Sequence, residues 1–247
     1  MSGHNKWSTI KRKKGAIDAK RSKIFSRIIK EIQIAVRDGG PDPEGNARLR
    51  LALNNARGSN MPKDNIQRAL TKADKDSAAL QEYTFEGYAP LGIAVFIECL
   101  SDNNLRTVSN IRSIFSKRGG SLGTSGSVAY MFDRKGVITI PKGTINAEEF
   151  ELEIIDAGVE DLEIQEDHFI ITTAMEDFAS VQKKLEEMGI EAENAELQRI
   201  PQETKQLTTD QAIRVLKVIE EFEDNDDVQN VFHNLEVTDE VMEAMES

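Results

Sequence analysis

Read as apolar and polar positions, the chain changes period near residue 80. Before that point the apolar residues repeat at helical spacing. From Ile24 they fall at 24, 25, 28, 29, 32, 35 and 36, one helical face, with Lys23, Arg27, Lys30 and Arg37 on the polar face. Gly39-Gly40-Pro41 stops this helix, and Asp42-Pro43 predicts a restart with Asp as N-cap and Pro at the first helical position. Leu49, Ala52, Leu53 and Ala56 make the inner face of a second helix ending near Gly58. Asn60-Met61-Pro62 repeats the start signal for a third, on Ile66, Ala69, Leu70 and Ala73. Three amphipathic helices with short loops predict a small bundle. The polar segment 74–81 predicts a hinge.

After the hinge, residues 83–88 and 91–100 read as strands joined at Tyr88-Ala89-Pro90, the second apolar enough to be central in its sheet. Asp102-Asn103 caps a helix on Leu105, Val108, Ile111, Ile114 and Phe115, and a glycine-rich loop leads from it to a strand at 127–132. That ββαβ layer is incomplete. Next come a strand at 137–140, a helix at 147–156 ended by Gly158, a hairpin of 162–165 and 169–173, a helix at 178–188 and a strand at 190–200. This βαββαβ order is that of a ferredoxin-like domain. A helix at 210–222, with Ile213, Leu216, Val218 and Ile219 inward, and a strand-like stretch at 228–237 would complete the open layer. The expectation is an α+β multidomain chain. It has an N-terminal three-helix bundle (1–80), a discontinuous α/β middle domain (81–132 plus 203–247) and an inserted ferredoxin-like βαββαβ domain (133–202).

Charge sharpens this division. The 247 residues carry a net −12, yet residues 1–75 hold 18 Lys+Arg and 7 Asp+Glu, a net of +11, which leaves −23 for the rest. A basic module on an acidic body meets polyanions in one orientation, because the body is repelled by what the module seeks. The alternative is that the two halves neutralise each other across an internal interface. Lys6, Lys11, Arg12, Lys13, Lys14, Lys20, Arg21, Lys23 and Arg27 run from an N-terminal arm onto the first helix, and Trp7 offers a flat ring beside Lys6. Arg48, Arg50, Arg57 and Lys63, with Arg68 and Lys72, are the predicted outward cations of the bundle. Cations with an aromatic on a helical module are the footprint of nucleic-acid contact, against the blander reading of a solvated tail.

The remaining candidates for chemistry are weak. The loop Gly119 to Gly126 has the small residues of a phosphate cradle, but it follows a helix and lacks the Gly-Lys-Ser/Thr ending of a P-loop. The acidic run 220–227 lacks the Gly and Glu of a calcium loop and reads as a solvated helix end. His4, His168 and His233 have no companions at metal spacing. Cys99, the single cysteine, sits in an apolar run and predicts a buried thiol in a reducing compartment. No catalytic residue, cofactor, metal or small-molecule substrate is predicted. With no stretch of about 20 apolar residues and no apolar h-region near the N-terminus, a cytoplasmic protein without a membrane partner is expected, although the Lys/Arg-rich start also suits a transit peptide. A monomer is favoured.

Several segments resemble the YebC/PmpR family: Met-Ser-Gly-His-Asn-Lys-Trp-Ser-Thr-Ile-Lys at the start, Asp18-Ala-Lys-Arg21, Asn60-Met-Pro-Lys63, Phe85-Glu-Gly-Tyr88, Gly119-Gly-Ser-Leu-Gly123 and Gly126-Ser-Val128. The resemblance implies three domains, a helical bundle and two α/β domains, in a non-enzymatic DNA-binding transcriptional regulator. Mitochondrial relatives are similar to translational activators, and bacterial members have been connected with the ribosome. A translation factor on ribosomal RNA is therefore the alternative. The chain departs from the family pattern at Asn46-Ala47-Arg48, where Pro is common before Arg, and at 71–76, where relatives are richer in Gly.

Overall fold

The structure is a computed structural model that describes residues 18–76 and 80–246. The first helices are α1 (Asp18–Gly39), α2 (Ala47–Gly58) and α3 (Lys63–Asp76). Gly40 ends α1 in the left-handed conformation that glycine adopts without a Cβ penalty (φ 84), its N–H donating to the Val36 carbonyl. The restart is at Asn46 instead of Asp42. Asp42 Oδ1 accepts from the Glu44 N–H within a turn, and Asn46 Oδ1 caps α2 by accepting from the Leu49 N–H at 3.0 Å. Buried Asn46 also donates to the carbonyls of Ala35 (2.7 Å) and Gly40 (2.8 Å), so one amide joins the end of α1 to the start of α2. Ile32, Ala35, Val36, Leu49, Ala52, Leu53, Ala69 and Ala73 close the core of the bundle, on the predicted faces.

Then follow β1 (Gln81–Ala89), β2 (Ile93–Ser101), α4 (Asn104–Lys117), β3 (Ser121–Leu122), β4 (Phe132–Pro141), α5 (Ala147–Ile154), β5 (Val159–Ile164), β6 (His168–Ala174), α6 (Phe178–Glu187), β7 (Asn194–Pro201), α7 (Thr209–Glu223), β8 (Val228–His233) and α8 (Asp239–Glu246). They form two four-stranded sheets, ordered β3-β1-β2-β8 and β5-β6-β4-β7. In the first, β2 lies between β1 and β8, antiparallel to both, and is buried on both faces. Ile93, Val95, Ile97 and Cys99 meet residues of α4, α7 and α8, while Ala94 and Phe96 meet Val128, Phe132 and Phe232. Burial on both faces is why its sequence reads as a continuous apolar run.

The described residues divide into two compact units. One holds 80–133 and 200–246 with the start of α1 up to Lys23; the other holds 24–76 and 134–199. Within the second, Leu51 of α2 packs against the core of the β5-β6-β4-β7 sheet. Asn55 of α2 donates to the Ala195 carbonyl and accepts from the Ala195 N–H, both at 2.8 Å, and so stands where a further strand would pair with edge strand β7.

Three sequence expectations are corrected here. Residues 127–132 are not a strand, because the Val128 and Ala129 N–H groups are held by a side chain from β1; Ala129–Met131 is a 3-10 turn, and β4 starts at Phe132 and enters the second sheet. Leu105 is 84% exposed, and Thr107 takes the inward position with its hydroxyl satisfied by Ser101 and Asp227. The stretch 228–237 ends as a strand at His233, and helix α8 follows. Its signal was present in the Val237, Val241, Met242 and Met245 spacing.

Candidate nucleic-acid interface

Helix geometry decides which cations the bundle presents. On α2, Arg50 and Arg57 are seven residues apart and both exposed, hence on one face at a rise of about 10 Å. Arg50 lies 4.0 Å from Glu44, and Arg57 donates to Asn54 Oδ1 at 3.3 Å. On α3, Arg68 and Lys72 are exposed neighbours at i, i+4, whereas Ala69 and Ala73, about 100° further round the helix, are buried, and Lys63 is exposed at the first turn. Arg68 and Lys72 line a shallow groove with Asp64, Gln67 and Thr71. The connection from α2 to α3 is four residues, 59–62, with Asn60 left-handed at φ 53.

Arg48 behaves differently from the outward cation expected. Its guanidinium donates to both Glu31 oxygens, at 2.6 and 3.2 Å, with Asp38 at 3.7 Å, and it is only partly exposed. It clasps α2 to α1. Asp38 in turn is held below its ordinary pKa chiefly by a hydrogen bond from Arg37, then by the charges of Arg37 and Arg48, against a desolvation that opposes them. On α1, Arg21 is exposed, Arg27 is partly buried, and Lys23 Nζ pairs with Asp224 at 2.7 Å. Lys6, Trp7, Lys11, Arg12, Lys13 and Lys14 lie outside the described residues, as does the side chain of Lys20. Ala47 occupies the first helical position of α2, where Pro is also tolerated, so this departure from the family pattern leaves the helix start intact.

The glycine-rich loop is an anion nest that the protein fills itself. Buried Glu86 of β1 accepts from the N–H groups of Gly126 (2.7 Å) through one oxygen and of Val128 and Ala129 (both 2.8 Å) through the other. A phosphate would have to displace a carboxylate fixed by three charge-assisted hydrogen bonds. Glycines make the close approach possible: a Cβ on Gly87 would meet the Ser121 carbonyl, and one on Gly120 would stand 2.5 Å from the Tyr88 carbonyl.

The acidic run also has an inward member. Asp227 is buried and accepts from Arg106 Nη2 at 2.9 Å and from the Thr107 hydroxyl at 2.9 Å, and Arg106 also reaches Asp102 at 2.8 Å. The hydrogen bond to Asp227, then that to Asp102, raises the Arg106 pKa. Sequence reasoning missed this cluster because its members are 120 residues apart. Cys99 is buried, as expected. Among the described residues no group of three or more His, Cys, Asp or Glu is placed to hold a metal, and no helix is long and apolar enough to cross a membrane.

A family model described as "TACO1/YebC protein N-terminal domain" matches residues 5–76, and one described as "TACO1/YebC second and third domain" matches residues 80–235. A probable transcriptional regulatory protein of Rubrobacter xylanophilus is 49% identical over 98% of both chains. One of Geotalea uraniireducens is 50% identical over 99% of this chain and 100% of its own length. A crystal structure of a conserved hypothetical protein from Aquifex aeolicus superposes with a TM-score of 0.81 at 41% identity, covering 90% of this chain and 92% of that one.

Proposed function

Because the chain belongs to the TACO1/YebC family, we propose that it is a non-enzymatic, DNA-binding transcriptional regulator of the cytoplasm whose basic arm and helical bundle contact phosphates. Relatives named probable transcriptional regulatory proteins support a regulatory role. The observation that carries the reading is the exposed set Arg50, Arg57, Lys63, Arg68 and Lys72 on a module of net +11, in a protein of net −12. Exposed Gln67 and Arg68 on α3 add support, being side-chain types that bond to bases and phosphates. In the same reading 1–80, 81–132 plus 203–247, and a ferredoxin-like 133–202 are the three domains. The alternative is a translation factor that docks the same bundle on ribosomal RNA, a reading favoured by the lack of a helix-turn-helix signature in the sequence.

If about 6 to 10 cations engage phosphates, affinity for duplex DNA falls roughly 10³- to 10⁵-fold between about 50 and 200 mM salt. Reversing the charge of Lys11, Arg12, Lys13 and Lys14 should abolish it. A flat salt response, or full binding by the reversed variant, refutes the phosphate interface. Sedimentation of lysate with DNA- or RNA-specific nuclease separates the two targets: co-migration with ribosomes that RNase alone abolishes would replace DNA by RNA.

A further inference from the structure

The segment from Val128 to Phe132 is apolar throughout, and four of its five residues are anchored. Val128 and Phe132 are in the core beneath β2, and Ala129 and Met131 pack against that core. Only Tyr130 turns outward, 70% exposed. Its backbone is held from every side. The N–H groups of Val128 and Ala129 are bound by Glu86, Met131 N–H donates to the Val128 carbonyl at 2.9 Å, and the Met131 carbonyl accepts from Gln202 N–H at 2.9 Å. A buried carboxylate is thus committed to fixing a turn whose outer face carries a bare aromatic ring. The preceding loop, exposed at Gly119, Ser121 and Gly123 to Gly126, adds hydroxyls and accessible backbone, and exposed Lys117 ends the helix that leads into it.

We infer that Tyr130 is a stacking platform for an unstacked nucleobase of a single-stranded nucleic acid, a contact separate from the cationic bundle. The nest is closed to phosphate by Glu86, so recognition here goes through the ring. An aromatic face on a preformed turn stacks on any base, whereas paired bases in a duplex do not offer theirs. Between residues 81 and 132 four acids balance four bases, so the segment that carries Tyr130 has no net charge of its own. The inference rests on the reading that the protein binds nucleic acid, and it adds a single-strand preference to it.

The test uses the full chain and fluorescence anisotropy with three labelled probes: a single-stranded RNA of about 12 nucleotides, the same sequence as single-stranded DNA, and the DNA duplex. Tyr130→Ala should weaken single-strand binding by about 5- to 150-fold, leave duplex affinity within about twofold, and be rescued by Tyr130→Phe. An equal loss on RNA and DNA strands assigns the contact to the base; a loss on RNA alone adds sugar recognition. Independently of folding of the variant, a thiouridine-substituted strand should photocrosslink to the Tyr130 peptide of the native protein. Unchanged single-strand affinity in Tyr130→Ala, with crosslinks elsewhere, overturns the inference while duplex binding keeps the regulator reading. That is also the outcome if Tyr130 serves a protein partner. If the native protein binds none of the three probes, both readings fall.

Discussion

Glu86 shows how much one residue decides. From its position in Phe85-Glu-Gly-Tyr88 nothing distinguishes it from a solvated strand carboxylate, yet it is buried and organises a loop 40 and more residues away. Glu86→Gln keeps the shape but puts an NH₂ where one acceptor oxygen was and removes the charge, so at least one N–H loses its acceptor and the other bonds are no longer charge-assisted. We expect a loss of about 2–4 kcal/mol in denaturant unfolding, with faster amide exchange at Gly126, Val128 and Ala129. Unchanged exchange there would show that the loop is fixed by its apolar anchors alone. Asp227 teaches the same lesson from the other side: a run of acids read as solvent-facing contains one that points inward, because Arg106 and Thr107 wait for it. Glycine spacing announced a nest, but its occupant was invisible, since a carboxylate and a phosphate ask the same of three amides.

At the scale of elements, the inner faces of the bundle's helices were legible because each is specified by neighbours three and four residues apart. The start of α2 was misplaced by four residues, from Asp42 to Asn46. Asp-Pro has the right local chemistry, but the competing asparagine can also bond back to α1. Contacts that hold α2 in place were not legible. The Asn55 amide satisfies both backbone groups of Ala195 on the outer side of β7, and a Cβ on Gly58 would run into the Glu193 carbonyl. Asn55→Ala removes both hydrogen bonds and should lower stability by about 1–3 kcal/mol, with hydrogen exchange at the Ala195 amide accelerated more than at the strand's β4-facing positions. Uniform acceleration along β7 would mean that the amide pair is not what protects that edge.

For the whole molecule, the division of charge is the property with functional reach, and the structure sorts the cations that sequence counted alike. Arg50 and Arg57 face outward, whereas Arg48 is engaged by Glu31. Reversing Arg50 and Arg57 to Glu should lower nucleic-acid affinity and reduce the magnitude of the salt slope by about 2. Arg48→Ala should instead lower the thermal midpoint and leave the slope unchanged, and a slope that falls with it would put Arg48 at the interface. By itself the sequence determined the bundle's helical faces, the two-sided burial of β2, the βαββαβ order of the elements from β4 to β7 and the allotment of charge. All of these are written in residues close along the chain or in simple sums over it. Only the tertiary structure decided which polar side chains are used up internally. Glu86 finds its partners 40 residues away, Asp227 about 120 and Asn55 140, and at such separations neither period nor propensity carries information about who meets whom.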